Sequence, residues 1–280
     1  LSFVHKQKLI LSIDRTEWDY GNCQVNVLCV VVSIGKMGVP LYFEMLDNNS
    51  GNSNSEDRIT LFKQLIDIIG KDRVDYVVMD REFIGHRWLD WLQSASIDFC
   101  VRVPKHHTII LADGAYNAEG LLEGSSQCYQ TEVWVNKVRV NVSLSYDDEG
   151  KLLYLIGTRK ATNLRKMYRK RWGIEVIFQA FKGRGFRLEE SGLSDINKYK
   201  KLFAIVSIAY TLCWATGITD GKENPVKVKK HGYPQYSVFR RGLNLIRTLF
   251  KNQPAQALIK TIEQAGTRWK KINSLIETVG

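Results

Sequence analysis

Four side chains with complementary chemistry recur at helical spacing in residues 168–182: Tyr168, Arg171, Glu175 and Lys182, separated by three, four and seven positions. At 100° per residue they line up as one stripe along a helix, rising roughly 21 Å. A second stripe of Ile174, Ile177, Phe178 and Phe181 runs beside it, in the i, i+3, i+4, i+7 pattern of a face turned towards a core. A helix anchored in this way presents a carboxylate flanked by cations and a phenol. That face is able to hold a metal ion and a phosphate backbone together.

Two further acids end strand-like runs: Asp14 closes residues 8–14, and Asp80 closes residues 75–80. Active-site loops collect at the strand ends of open α/β sheets. With the first strand central and the fourth beside it, both carboxylates fall within a few Å of each other. Two close, desolvated carboxylates repel unless a cation intervenes. Glu175, arriving from a helix, completes an all-oxygen donor set suited to Mg²⁺ or Mn²⁺. Two such ions can activate a water or hydroxyl and stabilise the leaving oxygen of a phosphodiester. Singly, a strand-terminal Asp is more often a turn or cap residue, and an Arg–Glu pair at i, i+4 is usually a solvated helix pair. Their joint occurrence with a basic second half is what points to phosphodiester chemistry.

The elements that must position these groups read as alternating strands and helices. Residues 8–14, 25–34 and 39–46 predict three strands that meander antiparallel. Ser55 with Glu56, Asp57 and Arg58 starts an amphipathic helix ending at Gly70. Residues 75–80 predict a strand, 84–95 a Trp-rich helix and 98–103 another strand. The helical crossovers make the later strands parallel. The expected fold class is α/β, a mixed five-stranded sheet flanked by helices. Residues 105–159 then predict a β-rich insertion, with strands at 108–111, 130–136, 138–145 and 152–157. An apolar helix over 197–214, a linker over 217–235 and basic helices over 237–250 and 256–276 follow. The expected domains are a catalytic region over 1–219, interrupted at 105–159, and a basic helical region over 220–280.

Charge is segregated along the chain. Residues 151–280 hold 26 Lys+Arg against 8 Asp+Glu, or +18, and residues 1–150 hold 14 against 21, or −7, giving the net +11. Such segregation favours a polyanion partner, nucleic acid first and anionic lipid or an acidic protein second. No apolar run approaches the length of a membrane span. Five scattered cysteines without a Cys-x-x-Cys pair predict reduced thiols in a cytosolic protein and argue against a zinc site. His106-His107 lacks spaced partners for a metal, and Gly183-Arg-Gly185 reads as a helix end. No phosphate-cradling loop or Ser/His/Asp arrangement is present. The chain opens on Leu1 rather than methionine, which predicts that an N-terminal part is missing.

Three motifs together resemble a known family: Ser12-Ile-Asp14-Arg-Thr-Glu-Trp18, Val77-Val-Met-Asp80-Arg-Glu-Phe-Ile-Gly85, and Tyr-x2-Arg-x3-Glu-x6-Lys at 168–182. Over roughly residues 9–215 the chain looks like the DDE transposases of bacterial insertion sequences, of the insertion-sequence-four group with its Tyr-Arg-Glu-Lys signature. The resemblance implies an RNase H-like core with a β-strand insertion before the Glu. It implies that Asp14, Asp80 and Glu175 are the catalytic, metal-binding triad, holding two Mg²⁺ or Mn²⁺ ions. By motif position and chemistry, Arg171 grips a phosphate bidentately, Lys182 acts as a point charge along the same strand, and Tyr168 bonds a phosphate near the cut. Arg81 is a second-tier phosphate candidate, and Glu82 is an orienting partner rather than a ligand.

Members of this family nick the transposon end, and the freed 3′-OH attacks the opposite strand to close a hairpin. Trp134 in the insertion is the candidate for stacking on the unpaired base that this step needs. The implied partners are double-stranded DNA, as terminal inverted repeats and as target, and a second copy of the chain in a synaptic homodimer. No membrane partner is expected, and the implied setting is the bacterial cytoplasm at the nucleoid. Without an N-terminal DNA-binding region, general DNA affinity with poor end specificity is expected. Two alternatives remain open: an RNase H-like nuclease or resolvase that hydrolyses DNA without strand transfer, and a non-catalytic DNA-binding remnant of a mobile element.

Overall fold

The protein is described by a computed structural model covering residues 8–20, 23–34, 37–46, 51–193, 195–225, 227–230, 232, 234–252, 256, 259 and 263. The chain divides into two compact units, Gln7–Val176 and Ile177–Gly280.

The first unit begins with three long strands, β1 (Leu9–Tyr20), β2 (Cys23–Ile34) and β3 (Met37–Leu46). Residues 27–31 of β2 are all buried, as expected of a strand covered on both faces. Helix α1 (Ser55–Ile69) is capped by Asn54, one residue before the expected Ser55, because Asn54 and Asp57 form a reciprocal capping box. After it come β4 (Val74–Met79), α2 (His86–Ser94) and β5 (Phe99–Arg102). These strands lie in the order β3-β2-β1-β4-β5. β2 runs antiparallel to both neighbours, while β1, β4 and β5 are parallel. This is the RNase H-like arrangement that the motifs implied.

The sheet is larger than the five strands expected from the sequence. The insertion contributes β6 (Ile109–Leu111), β7 (Gly114–Tyr116), the short helix α3 (Ala118–Leu121), β8 (Gln127–Val135), β9 (Val138–Tyr146) and β10 (Leu152–Gly157). β10 pairs antiparallel with β5, so one sheet of ten strands continues as β5-β10-β9-β8-β6-β7. The physical reason is the outer edge of β5, whose unpaired amides and carbonyls need a partner.

Helix α4 (Ala161–Tyr168) packs on this extended sheet. Its Leu164 and Met167 join a buried cluster with Tyr76, Val78, Cys100, Leu153 and Leu155, and Tyr168 lies against that cluster. A single helix over 168–182 was expected, but the chain instead tightens into a 3-10 turn at Arg169–Arg171 before α5 (Trp172–Phe181). The Ser33 hydroxyl donates to the Lys170 carbonyl at 3.1 Å, competing for a backbone acceptor that a regular α-helix would use. The stripe is therefore split: Tyr168 ends α4, Arg171 lies in the turn, Glu175 is on α5 and Lys182 follows it.

In the second unit, α6 (Ile196–Glu223) and α7 (Val238–Asn252) pack together. Phe181 and Phe203 stand edge to face at 5.1 Å, and Tyr210 lies 5.0 Å from Phe239. α6 runs nine residues past the expected end at 214, so the linker predicted over 217–235 is helical as far as Glu223. At 28 residues, with a mean hydropathy of 1.7 in its most apolar window, α6 is long and apolar enough to cross a membrane by length and composition. This corrects the expectation that no run approaches that length. Tyr199, Phe203, Val206, Tyr210 and Cys213 give it a buried face. The expected helix over 256–276 lies outside the described residues except at 256, 259 and 263.

Candidate active site

Sheet register brings the first two acids together. Ile13 of β1 pairs with Met79 of β4 in parallel, so the next residues, Asp14 and Asp80, emerge side by side. β1 does not end at Asp14 as the sequence suggested. It runs on to Tyr20 against β2, and only β4 stops at this level. Asp80 then opens a 3-10 turn, Arg81–Phe83, without spending its carboxylate on a cap.

The third acid and its neighbours arrive from the α4–α5 connection. Arg171 donates from Nη1 to Asp14 Oδ2 at 2.8 Å and from Nη2 to Glu175 Oε1. The Tyr168 hydroxyl donates to Asp80 Oδ1 at 3.2 Å. With the Arg171 guanidinium 5.7 Å from the Tyr168 ring centroid, Asp14, Asp80, Tyr168, Arg171 and Glu175 form one connected cluster. Its centre is largely shielded from solvent: the Arg171 side chain is 12% exposed and that of Asp14 16%. Glu175 is two residues beyond Gly173, whose backbone sits directly on β3. A Cβ on Gly38 would lie 2.7 Å from the Gly173 carbonyl oxygen. Gly38→Ala is therefore expected to lose about 1–3 kcal/mol by overpacking and to lower the melting temperature by several degrees. A melt equal to wild type would show that the strand and helix are not in this contact.

Electrostatics follow from burial. Desolvation raises the Asp14 carboxyl from 3.8 to about 6, and Asp80 and Glu82 push it the same way, against Arg171 and the Arg15 amide. Burial disfavours the Arg171 charge, but Tyr168, Asp14, Asp80 and Glu175 outweigh it and raise its pKa. Burial holds the Tyr168 phenol up at about 12, so it keeps its proton at neutral pH. Glu82 is raised, first by burial and then by Asp80, with Arg15 and Arg58 opposing.

The donor chemistry of three carboxylates fits a hard divalent cation. Among the described residues, however, no three His, Cys, Asp or Glu side chains converge as a ready metal cluster. Here the Arg171 guanidinium bridges Asp14 and Glu175, occupying with one organic cation the role of counter-charge. Beside the cluster, a cavity of 690 Å³ is lined by Arg102, Arg165, Lys166, Arg169, Lys170 and Trp172 among others. The +18 half of the chain thus contributes several of its cations to the flank of the acids.

The remaining candidates are placed differently. Arg81 is exposed immediately after Asp80. Trp134 lies on β8, five strands from β1 in the sheet order, and is 49% exposed. Lys182 follows α5 and belongs to the second compact unit. Two residues not singled out from the sequence, Arg58 and Asn136, bond the backbone just beyond Asp80. Arg58 looked like a first-turn charge of an amphipathic helix, and Asn136 like the last residue of a strand over 130–136, whereas it lies in the turn after β8.

A family model described as the transposase DDE domain matches residues 6–212. No curated protein matches the chain. Among solved structures, the chain is similar to the piggyBac transposase in a cryo-EM synaptic complex with hairpin DNA, at 13% identity and a TM-score of 0.47. That match covers 97% of this chain, which spans only 58% of the piggyBac chain. Endonuclease V of Ciona intestinalis, solved with DNA, matches at 13% identity and a TM-score of 0.36, covering 60% of this chain and 78% of that one. Endonuclease V of Bacillus subtilis matches at 8% identity and a TM-score of 0.31, covering 60% and 72%.

Proposed function

The chain belongs to the transposase DDE domain family, and from that premise we propose that it cuts DNA at the ends of a mobile element and joins them to target DNA. The observation that carries this reading is the Ile13–Met79 register, which sets Asp14 beside Asp80 while Arg171 ties Asp14 to Glu175. Asp14, Asp80 and Glu175 would hold a pair of Mg²⁺ or Mn²⁺ ions, which supply the charge that makes an oxygen nucleophile reactive and steadies the departing oxygen.

The chain's own side chains account for the rest. Arg171 offers a planar fork that matches a phosphate once it is released from the acids. Tyr168, protonated at neutral pH, donates a hydrogen bond to Asp80 or to a phosphate oxygen. Arg81 and Lys182 serve as further phosphate contacts, and the basic cavity beside the acids draws the backbone in. In the cutting step a water oxygen bonds to phosphorus and gives up a proton to solvent, while the 3′ oxygen departs and takes one up to leave as a hydroxyl. In the joining step that hydroxyl oxygen forms the new bond, releasing its proton to solvent as the target's 3′ oxygen takes one up. A hairpin route would use Trp134 as a stacking face for an unpaired base. A bacterial insertion-sequence origin in the Tyr-Arg-Glu-Lys group, a cytoplasmic setting at the nucleoid without a membrane partner, and a homodimeric synapse complete the proposal.

The test is cleavage of a labelled DNA end with Mg²⁺ or Mn²⁺, alongside a precut end carrying a 3′-OH and a target plasmid. Cutting and joining are both expected. Cutting without joining would favour a nuclease or resolvase, and DNA binding without either would leave a non-catalytic protein.

A further inference from the structure

The turn that carries Asp80 is held from two distant parts of the sequence. From one side comes Arg58, on the first turn of α1, whose residue is only 3% exposed. Its Nε donates to Ser53 Oγ at 2.9 Å, and its Nη2 donates to the Ser53 carbonyl at 2.5 Å and to the Glu82 carbonyl at 3.1 Å. Its guanidinium also lies over the buried Phe83 ring, 4.6 Å from the centroid. From the other side comes Asn136, whose Nδ2 donates to the Ile84 carbonyl at 2.5 Å. Asn136 and Lys137 both have positive φ, 49° and 64°, as the tight two-residue turn between β8 and β9 requires. Glu82, Phe83 and Ile84 are thus gripped in succession, directly after the carboxylate.

Burying an arginine among carbonyls, a hydroxyl and a ring is costly, and a well-packed apolar side chain would often serve stability as well. What such an arginine supplies is direction, because three N–H vectors in a rigid plane fix the backbone they meet. Carboxylates that share a cation must be held to within about half an ångström.

We infer that Arg58 and Asn136 are positioning residues for Asp80, clamping the 82–84 backbone so that its carboxylate stays level with Asp14. This inference rests on the proposed function. It also gives the insertion a task at the acids, since Asn136 is the tip of its β8–β9 hairpin.

Two variants of the full chain test it. Asn136→Gly keeps a residue at home in positive φ and removes only the amide. Arg58→Lys keeps the charge and loses the fork. Mn²⁺ affinity, read by paramagnetic resonance of the free ion well below each protein's melting temperature, should fall about tenfold or more in both, as for other outer-shell changes. The Asn136→Gly melt in EDTA should stay near wild type. Wild-type affinity in both variants would overturn the inference alone, as would losses no larger than the unfolded fraction explains. A wild-type chain that takes up no Mn²⁺ would sink the proposed function and this inference with it.

Discussion

Asp80→Asn is expected to fold and bind DNA yet lose cutting and joining by roughly 10³-fold or more, a barrier increase of ~4 kcal/mol. Asparagine fills the same space and still accepts from the Tyr168 hydroxyl, so the fold has little reason to change. What disappears is one of two adjacent negative charges, and with it the attraction for a divalent cation. Cleavage time courses in Mg²⁺, paired with melts in EDTA, separate the two effects. A variant that melts like wild type and cuts within tenfold of it would remove Asp80 from the chemistry.

Asp14 should have the opposite signature in the cation-free protein. Its carboxyl binds a proton more tightly in the fold, at about 6, than at its ordinary 3.8. The protonated form therefore contributes stability that is fully present below about pH 4. That contribution is lost as pH rises through 6, and it amounts to roughly 3 kcal/mol. Glu82, also held above the ordinary carboxylate range, slopes the same way. Asp14→Asn should accordingly raise the melting temperature in EDTA at pH 7.5 and flatten the decline between pH 4 and 6, while abolishing cleavage. Melts in EDTA across pH 4 to 7.5 decide the matter. If the variant keeps the wild-type slope, Asp14 is not the strained carboxylate described.

Much of the site was legible in the sequence because it is local or periodic. Asp14 and Asp80 each follow an apolar run, and Tyr168, Arg171 and Glu175 keep their helical spacing well enough to converge despite the 3-10 turn. The directions of the first five strands followed from two helical crossovers and one meander, whereas the pairing of β4 with β1 was a premise that the register supplies. What was illegible depends on contacts far apart in the chain. The break at Arg169–Arg171 is shaped by the hydroxyl of Ser33, which no local pattern around residue 170 reveals. The joining of β10 to β5 pairs Gly157 with Cys100, a choice made by an open sheet edge rather than by either strand's composition. β7 and α3, at three and four residues, are too short to carry a period. Arg58 was hidden because a charged residue in the first turn of an amphipathic helix normally faces water.

The ten-strand ladder also constrains how this protein can vary over evolutionary time. Because β10 seals the rim of β5, shedding the insertion whole would turn that rim into an open edge that the sequence would have to protect in another way. The raw margin would lie one strand away from the strand bearing Asp80. Length can change cheaply only at the far border, around β6 and β7, where additions disturb nothing that aligns the acids.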